Sequence, residues 1–524
     1  MATLVDREVV GRRARGDGAH APLWLPVGVA AGVGAGVVLR FVTSSDLWLD
    51  EALSVNIARL PLGRIPDALR HDGSPPLYYF LLHGWMALFG TGDVAVRALS
   101  GLASVATLPL LFLAGRRIAG ARVGWAAVLL GASNPYAVRY ATEARMYSVV
   151  ALECVVGSLV LLRAVERPTG RRLAALAAVT AALVLTHYWA LYLVTTVGVG
   201  LALRAARAGP EARSAACRVL AAVAVGALAF VPWLPSFLYQ LAHTGAPWSR
   251  APGPGDLVDV LAELSGGRGH LGRLLDLGLF ALVCLALFAR PVDEDRVELR
   301  MAPPADSAAL AAVVLGTPLL AVAAGIVSGA PFVGRYLAVV LAPFLLLAAR
   351  GTVAFRRPRA HATVLAALTV IGLGAGADLS GVQRTQAGEV ARAISRGAKP
   401  GDVVAFCPDQ LAPAVSRVLA RTGPPGLTQL AYPRGPVTGR VDWADYARAI
   451  RASPTPAFAR RLVDEAGASH DVWLYWGRGY RPYRRRCTAL TKNLAALRPG
   501  EVVVRYPKVL TRFEHGTLSR YPPP

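Results

Sequence analysis

The sequence predicts a polytopic α-helical membrane protein that ends in a soluble α/β domain. Three observations carry this. Of 524 residues, 54% are hydrophobic and only 17% charged, with a mean hydropathy of +0.44, whereas a soluble domain carries about a quarter charged residues. The apolar residues gather into runs long enough to cross a bilayer as helices, the element whose backbone groups are satisfied internally. After about residue 377 those runs stop, and short apolar stretches alternate with helix-like segments. The net charge of +23 does not point to nucleic acid. The arginines sit in short clusters between apolar runs, and no nucleic-acid-binding motif or aromatic–basic patch accompanies them.

Residues 1–20 are basic and polar and read as a cytoplasmic tail. The run 21–43 lacks a small-residue cleavage pattern, so it reads as a retained first span. Further runs lie at 76–90, 95–115, 122–139, 147–165, 172–187, 189–205, 217–239, 271–290, 308–329, 336–350 and 360–377. Arginine clusters belong on the cytoplasmic side. They include Arg12-Arg13, Arg116-Arg117, Arg171-Arg172, Arg204 with Arg207, Arg290 with Arg296, and Arg356-Arg357. Their placement inside puts 44–75, 140–147, residue 187, 242–270, 330–335 and everything beyond 377 outside. The short run 76–90 opens at Pro75-Pro76 and is then a re-entrant or partly inserted piece, which leaves about eleven crossings. Residues 21–377 thus form the transmembrane domain, with 44–75 as its first outer loop, and 378–524 an extracytoplasmic α/β domain.

Within that loop, Glu51 to Leu60 has apolar positions at helical spacing and is expected to lie along the membrane surface. In the tail, 386–396 and 411–421 read as helices, and 401–406, 471–476 and 501–506 as strands. The Arg481–Arg486 run reads as a solvated basic face or a contact for anionic headgroups or glycan. Cys154, Cys217 and Cys284 lie in or beside apolar runs and read as packing residues. No CxxC pair occurs. Cys407 and Cys487 share the outer domain, and the sequence leaves their pairing open.

Chemistry-bearing residues concentrate at the outer ends of the spans. The stretches are Asp46-Leu-Trp-Leu-Asp50-Glu51, His71-Asp72-Gly-Ser-Pro-Pro-Leu-Tyr78-Tyr79, Tyr140-Ala-Thr-Glu143-Ala-Arg145-Met-Tyr147, Thr186-His187-Tyr188-Trp189 and Phe332-Val-Gly-Arg335-Tyr336. Carboxylates at a membrane edge are costly and point to a functional site. A transporter or flippase of lipid-linked sugar would tend to show polar groups near mid-membrane in two related halves, and no internal repeat is evident. That reading stays as the alternative, beside a non-catalytic envelope assembly protein.

These stretches resemble the GT-C superfamily of membrane glycosyltransferases. Most closely they resemble bacterial glycosyltransferase family 39 proteins, relatives of protein O-mannosyltransferases and aminoarabinose transferases. The resemblance rests on Asp50-Glu51, Ser74 to Tyr79, Glu143 to Tyr147 and Thr186 to Tyr188. It covers about residues 20–240 well, 241–377 through hydropathy and Arg335-Tyr336, and the tail hardly at all. It implies inverting transfer of a sugar, mannose first, from a polyprenyl-phosphate donor to a hydroxyl of an envelope glycan, lipid or protein outside the cytoplasmic membrane.

Such a reaction needs a carboxylate to take the proton of the attacking hydroxyl, a role the resemblance gives to Asp50, with Glu51 beside it as a second catalytic candidate. It also needs donors for the charge that builds on the leaving phosphate, for which Arg145 and Arg335 have the matching guanidinium fork. His71 and His187 are candidate donors to phosphate or sugar hydroxyls. Asp72, Tyr78, Tyr79, Glu143, Tyr147, Tyr188 and Tyr336 complete the candidate donor site. Structural readings stand beside these. Glu51 would pair with an arginine, Arg145 with Glu143 or Glu153, and the tyrosines would form an interfacial belt. Asp50, Glu51, His71 and Asp72 are a hard-ligand set for a divalent ion, but no metal or other cofactor is expected to be required.

Overall fold

The computed structural model describes residues 24–244, 253–267, 269–294, 296–329, 332–437, 439–505 and 513–524. The N-terminal part is a helix bundle. Its helices are α1 (Trp24–Leu39), α2 (Leu49–Ala58), α3 (Ile65–Arg70), α4 (Leu77–Phe89), α5 (Asp93–Ala119), α6 (Ala121–Ser133), α7 (Pro135–Ala141), α8 (Tyr147–Glu166), α9 (Gly170–Thr186), α10 (Trp189–Arg207), α11 (Pro210–Ala227), α12 (Leu234–His243), α13 (Pro254–Ser265), α14 (His270–Phe288), α15 (Ala305–Ser328), α16 (Ala338–Gly351) and α17 (Pro358–Gly381). A short hairpin of β1 (Ala289–Pro291) and β2 (Val297–Leu299) joins α14 to α15.

Among the described residues, eight helical segments are long and apolar enough to span a membrane: α5, α8, α10, α11 continued into α12, α14, α15, α16 with the turn before it, and α17. They coincide with eight of the runs read from the sequence. Three further expected crossings are shorter helices of 16, 13 and 17 residues, namely α1, α6 and α9. The expected span 122–139 is not one helix, because Asn134-Pro135 breaks it between α6 and α7. Proline has no N–H for the ladder and clashes with the preceding turn. Helix α4 has 13 residues, or about 20 Å at 1.5 Å per residue, and like the equally long α6 it falls short by itself of a ~30 Å hydrocarbon core, though α6 is continued by α7. Large apolar side chains such as Leu88, Leu277, Val327 and Val370 are exposed on the outside of the bundle, as a lipid-facing surface requires.

Between spans with no water to drive them together, close backbone packing does the work. Gly120, at φ +89°, turns α5 straight into α6, and a Cβ on Gly124 would lie 2.8 Å from the Phe112 carbonyl. The broken end of α6 leaves carbonyls without helical partners. Arg40, just beyond α1 and 1% exposed, donates to Gly131 O, Ala132 O and Gly36 O, each at 2.7 Å, and to Ser104 Oγ at 2.9 Å. A guanidinium at a helix C-terminus also meets the negative end of its dipole. That joint fixes where the first loop leaves the bundle.

The tail is a six-stranded sheet in the order β5-β4-β3-β6-β8-β7. The strands are β3 (Val403–Cys407), β4 (Thr428–Ala431), β5 (Gly435–Pro436), β6 (Val472–Trp476), β7 (Glu501–Val504) and β8 (Thr517–Tyr521). The centre, β4-β3-β6, is parallel and the edges antiparallel. Strand β3 is buried along its whole length, as parallel strands covered on both faces are. Helices α18 (Ala387–Gly397) and α19 (Ala412–Thr422) pack on one face, and α21 (Thr455–Ala466) and α22 (Arg486–Ala495) on the other, beyond the short α20 (Tyr446–Ala452). Cys407 at the end of β3 is bonded to Cys487 in α22.

The first loop departs from expectation. Helix α2 has no open apolar face to offer a membrane surface. It is clamped between two cores: Val55, Ile57 and Ala58 join the bundle core, while Trp48, Leu49 and Leu53 join the core of the tail. The apolar periodicity that suggested an interfacial helix is real, but both apolar faces are covered by protein. Salt bridges from Arg417 and Arg421 of α19 to Asp93 at the start of α5 hold the tail to the same end of the bundle. Non-reducing peptide mapping after thiol alkylation should recover Cys407 and Cys487 in one linked peptide, with Cys154, Cys217 and Cys284 alkylated after unfolding. Cys407→Ser should lower stability by about 2–4 kcal/mol, since an 80-residue separation is released in the unfolded chain, read by thermal unfolding in detergent.

Candidate active site

Where bundle and tail meet, a cavity of about 420 Å³ opens. Its bundle side carries Asp50, Asp72, Arg145, Tyr147, His187, Tyr188, Arg335 and Tyr336, and its tail side Gln410, Trp443, Tyr480, Phe513 and Glu514. Eight of the thirteen residues singled out in the sequence therefore line one space. They come from the start of α2, the turn before α4, the bend before α8, the α9–α10 joint and the 3₁₀ turn Gly334–Leu337.

Asp50 and Glu51 are consecutive on α2, and a helix turns about 100° between them. Asp50 therefore faces the cavity and Glu51 faces the bundle. The Asp50 carboxylate is 18% exposed and its ion-pair partner is Arg335, Nη1 to Oδ2 at 3.6 Å. Glu51 is wholly buried. Arg97 grips it in a fork, Nε to Oε1 and Nη2 to Oε2 both at 2.7 Å, and the Ala144 N–H donates to Oε1 at 2.9 Å. Arg384, from the tail side, stands 4.0 Å away. Burial pushes the Glu51 carboxyl up, but the charges of Arg97 and Arg384 and the Ala144 N–H outweigh it and hold it below the usual range. Glu51 is closed off from the cavity, so the expectation of a second catalytic carboxylate is corrected to a structural one.

Arg145 donates through Nη1 to Ser54 Oγ at 3.0 Å and to Tyr79 Oη at 3.4 Å, and its own carbonyl accepts from Ser100 Oγ at 3.1 Å. It does not pair with Glu143 or Glu153. Glu143 accepts from Arg139 and from the Trp48 indole, both at 2.8 Å, and Glu153 from Thr186 at 2.9 Å. Glu143 thus positions Trp48 and does not reach the cavity. The Nε atoms of Arg145 and Arg335 and the Tyr147 hydroxyl are buried without a hydrogen-bond partner. Unused buried donors are costly, and here they gather beside an open carboxylate.

His187, in the α9–α10 joint, accepts from the Trp189 N–H through Nδ1 at 3.1 Å and packs between the rings of Tyr147 and Tyr336. Burial, with Arg145 and Arg335 nearby, drops its pKa to about 3, so it is neutral at physiological pH and offers an Nε2–H rather than a charge. Asp72 accepts from Tyr79 Oη at 3.1 Å, and burial raises its carboxyl against the pull of Arg145. Tyr78 and Tyr79 are fully buried behind the cavity wall. His71 is another correction. It points outward to Asp442 of the tail at 2.8 Å and joins loop to tail. With Glu51 closed on Arg97 and His71 turned away, the candidate ligand set does not converge, and among the described residues no group of three or more His, Cys, Asp and Glu is placed to hold a metal ion.

The comparisons follow this geometry. Residues 73–236 match the family model described as dolichyl-phosphate-mannose-protein mannosyltransferase. The structure of ArnT from Cupriavidus metallidurans bound to undecaprenyl phosphate superposes over 95% of this chain and 98% of that one, with a TM-score of 0.59 and 14% identity. The apo ArnT structure matches 95% of this chain and 97% of that one at TM-score 0.47 and 15% identity. The S. cerevisiae Pmt1–Pmt2 complex matches 43% of this chain and 36% of that one at 0.33 and 16%. Curated protein sequences gave no match. The fold assignment rests on the first structure. The chain shares the fold of that ArnT structure.

Within this fold, sequence reading named none of the tail residues that line the cavity, nor Gln240 of α12. Gln240 donates to the Leu69 carbonyl at 2.8 Å and accepts from the Tyr188 hydroxyl. No local signal announces such residues. Their role depends on contacts with residues distant in the chain.

Glu51→Gln should cost about 3–5 kcal/mol, because it leaves Arg97 buried without its charge partner. Asp50→Asn, in a partly open pair, should stay within about 1 kcal/mol of wild type; thermal unfolding in nanodiscs separates the two. His187 also sets a pH response. Its folded pKa of about 3 lies below the unfolded value of about 6.5. Its contribution is therefore complete above pH ~6.5 and declines, by up to about 1.4 kcal/mol per pH unit, as pH falls toward 3. His187→Gln should flatten the fall in melting temperature between about pH 6 and pH 4.

Proposed function

We propose that this protein transfers a sugar from a polyprenyl-phosphate carrier to an acceptor hydroxyl by an inverting displacement, with Asp50 as general base. The observation that carries the reading is an open carboxylate facing a cavity beside two arginines with unused buried donors. Arg335 pairs with the Asp50 carboxylate at 3.6 Å. When the donor phosphate enters, its oxygens take over the guanidinium, and the carboxylate is released toward the acceptor.

The acceptor hydroxyl then loses its proton to Asp50 as its oxygen bonds the anomeric carbon. The carbon–oxygen bond to phosphate breaks from the opposite face, and the electron pair leaves with the polyprenyl phosphate. Arg145 and Arg335 stabilise the charge gathering there. Neutral His187 and the Tyr147 hydroxyl donate to sugar or phosphate oxygens. Tyr192, Phe237 and Leu241 make one edge of the cavity apolar, which suits the start of the polyprenyl chain. The ArnT structure holds undecaprenyl phosphate, which supports a carrier of that class. The family description supports mannose as the sugar. All of this chemistry is available from side chains, so we propose transfer without a required metal.

The site is proposed to face the outside of the cytoplasmic membrane, with the N-terminus inside. Arg116-Arg117, Arg163, Arg204 and Arg350 lie at the ends of α5, α8, α10 and α16 remote from the tail, which supports a cytoplasmic position for that end. The Cys407–Cys487 bond supports an oxidising compartment for the tail.

In nanodiscs with undecaprenyl-phosphate mannose and envelope acceptors, Asp50→Asn should lower kcat by about 10²–10⁴-fold, the usual contribution of a general base, with donor Kd unchanged. Equal turnover would remove Asp50 from the mechanism. Transbilayer movement of the carrier without turnover would favour a transporter instead. Arg335→Met should weaken donor binding and slow transfer together, by about tenfold or more in each, since it removes a charge-assisted contact to the phosphate.

A further inference from the structure

The two walls of the cavity differ in chemistry. The bundle wall holds both arginines. Among the described residues, the tail wall holds no cation: it presents Gln410, Glu514 and the rings of Trp443, Tyr480 and Phe513. Glu514 is 5% exposed. Its Oε2 accepts from the Leu49 N–H at 2.9 Å, at the first turn of α2 and one residue from Asp50. Its Oε1 is buried near Thr385 with no partner in hydrogen-bond geometry, and the residue lines the cavity. The Phe513 ring stands 5.3 Å from Trp48, whose indole N–H is held by Glu143. Asp50 thus lies between a wall with two arginines and a wall that, among the described residues, carries no positive charge.

We propose that the tail wall is the acceptor subsite, that its acceptor is a neutral sugar ring of a glycan, and that Glu514 is a specificity-determining residue that hydrogen-bonds a ring hydroxyl. The inference rests on the transferase reading above. A phosphorylated lipid headgroup would need cations on this wall. Aromatic faces with a few placed polar groups match the apolar face and hydroxyl rim of a sugar. Burial lifts the Glu514 carboxyl to about 8, so near neutrality it keeps a proton and is able to donate as well as accept. Held by Leu49 N–H, it registers the acceptor against the same helix that carries the base.

The test uses the full chain in nanodiscs with undecaprenyl-phosphate mannose. Three acceptor probes are compared: a methyl mannobioside, a Ser/Thr-rich peptide and phosphatidylglycerol. The glycoside is expected to accept. Glu514→Ala and Tyr480→Ala should each raise its KM about tenfold, the effect of one lost polar or stacking contact. The KM for donor, and donor hydrolysis without acceptor, should stay at wild-type values. Glu514→Gln keeps an oxygen for Leu49 N–H and a donor toward the cavity, so it should restore the acceptor KM. Transfer to peptide or phosphatidylglycerol but not to glycoside overturns the proposal. So does an unchanged acceptor KM in both variants. If Glu514→Ala loses donor hydrolysis along with transfer, the residue acts only through α2, and the proposal fails. A wild type that neither hydrolyses nor transfers the donor overturns the transferase reading itself.

Discussion

The buried contact between Glu51 and Arg97 is the constraint on which the site depends. A carboxylate removed from water is tolerated only when its oxygens are fully engaged, and Glu51 engages a span (Arg97), a bend (Ala144 N–H) and, at 4.0 Å, the tail-side Arg384. Three parts of the chain are thereby drawn to the first turn of one ten-residue helix. Asp50, on the neighbouring position, inherits a fixed direction from that anchoring. The carboxylate sealed from the cavity decides where the one facing it points.

Around that anchor the molecule separates two tasks. The bundle supplies charge: Arg145 and Arg335 arise at the ends of different spans and are held by Ser54, Tyr79 and Asp50. Among the described residues, the tail supplies rings, Gln410 and Glu514. Helix α2 belongs to both cores at once, so neither part closes the cavity without the other. Polar groups in such a space are expensive unless paired. The ones left unpaired, the Arg145 and Arg335 Nε–H, the Tyr147 hydroxyl and Glu514 Oε1, outline where a ligand's oxygens and hydroxyls find partners.

At 14% identity to ArnT little of the side-chain detail is shared, yet the architecture is. Spans are set by apolar length, which survives extensive substitution. The buried Arg40 is an example of local detail that replaces a longer helix. By satisfying the carbonyls of Gly131 and Ala132, it lets α6 stop early without leaving polar backbone in hydrocarbon.

The sequence by itself determined the membrane class, nearly all the spans, the α/β character of the tail and the set of segments that meet at one end. These follow from local periodicity and composition, which neighbouring residues carry. Its reading of Asp50, Arg145, Tyr147, His187, Tyr188, Arg335 and Tyr336 as one neighbourhood needed only span ends facing the same way. Tertiary structure alone decided that Glu51 turns inward while Asp50 faces the cavity, that His71 reaches Asp442 instead of the site, that Cys407 bonds Cys487, and that Glu514 arrives beside Leu49 from 465 positions away. Each of those depends on a rotation or a long-range contact. Both are fixed only when buried charges and polar atoms must find partners in the packed interior.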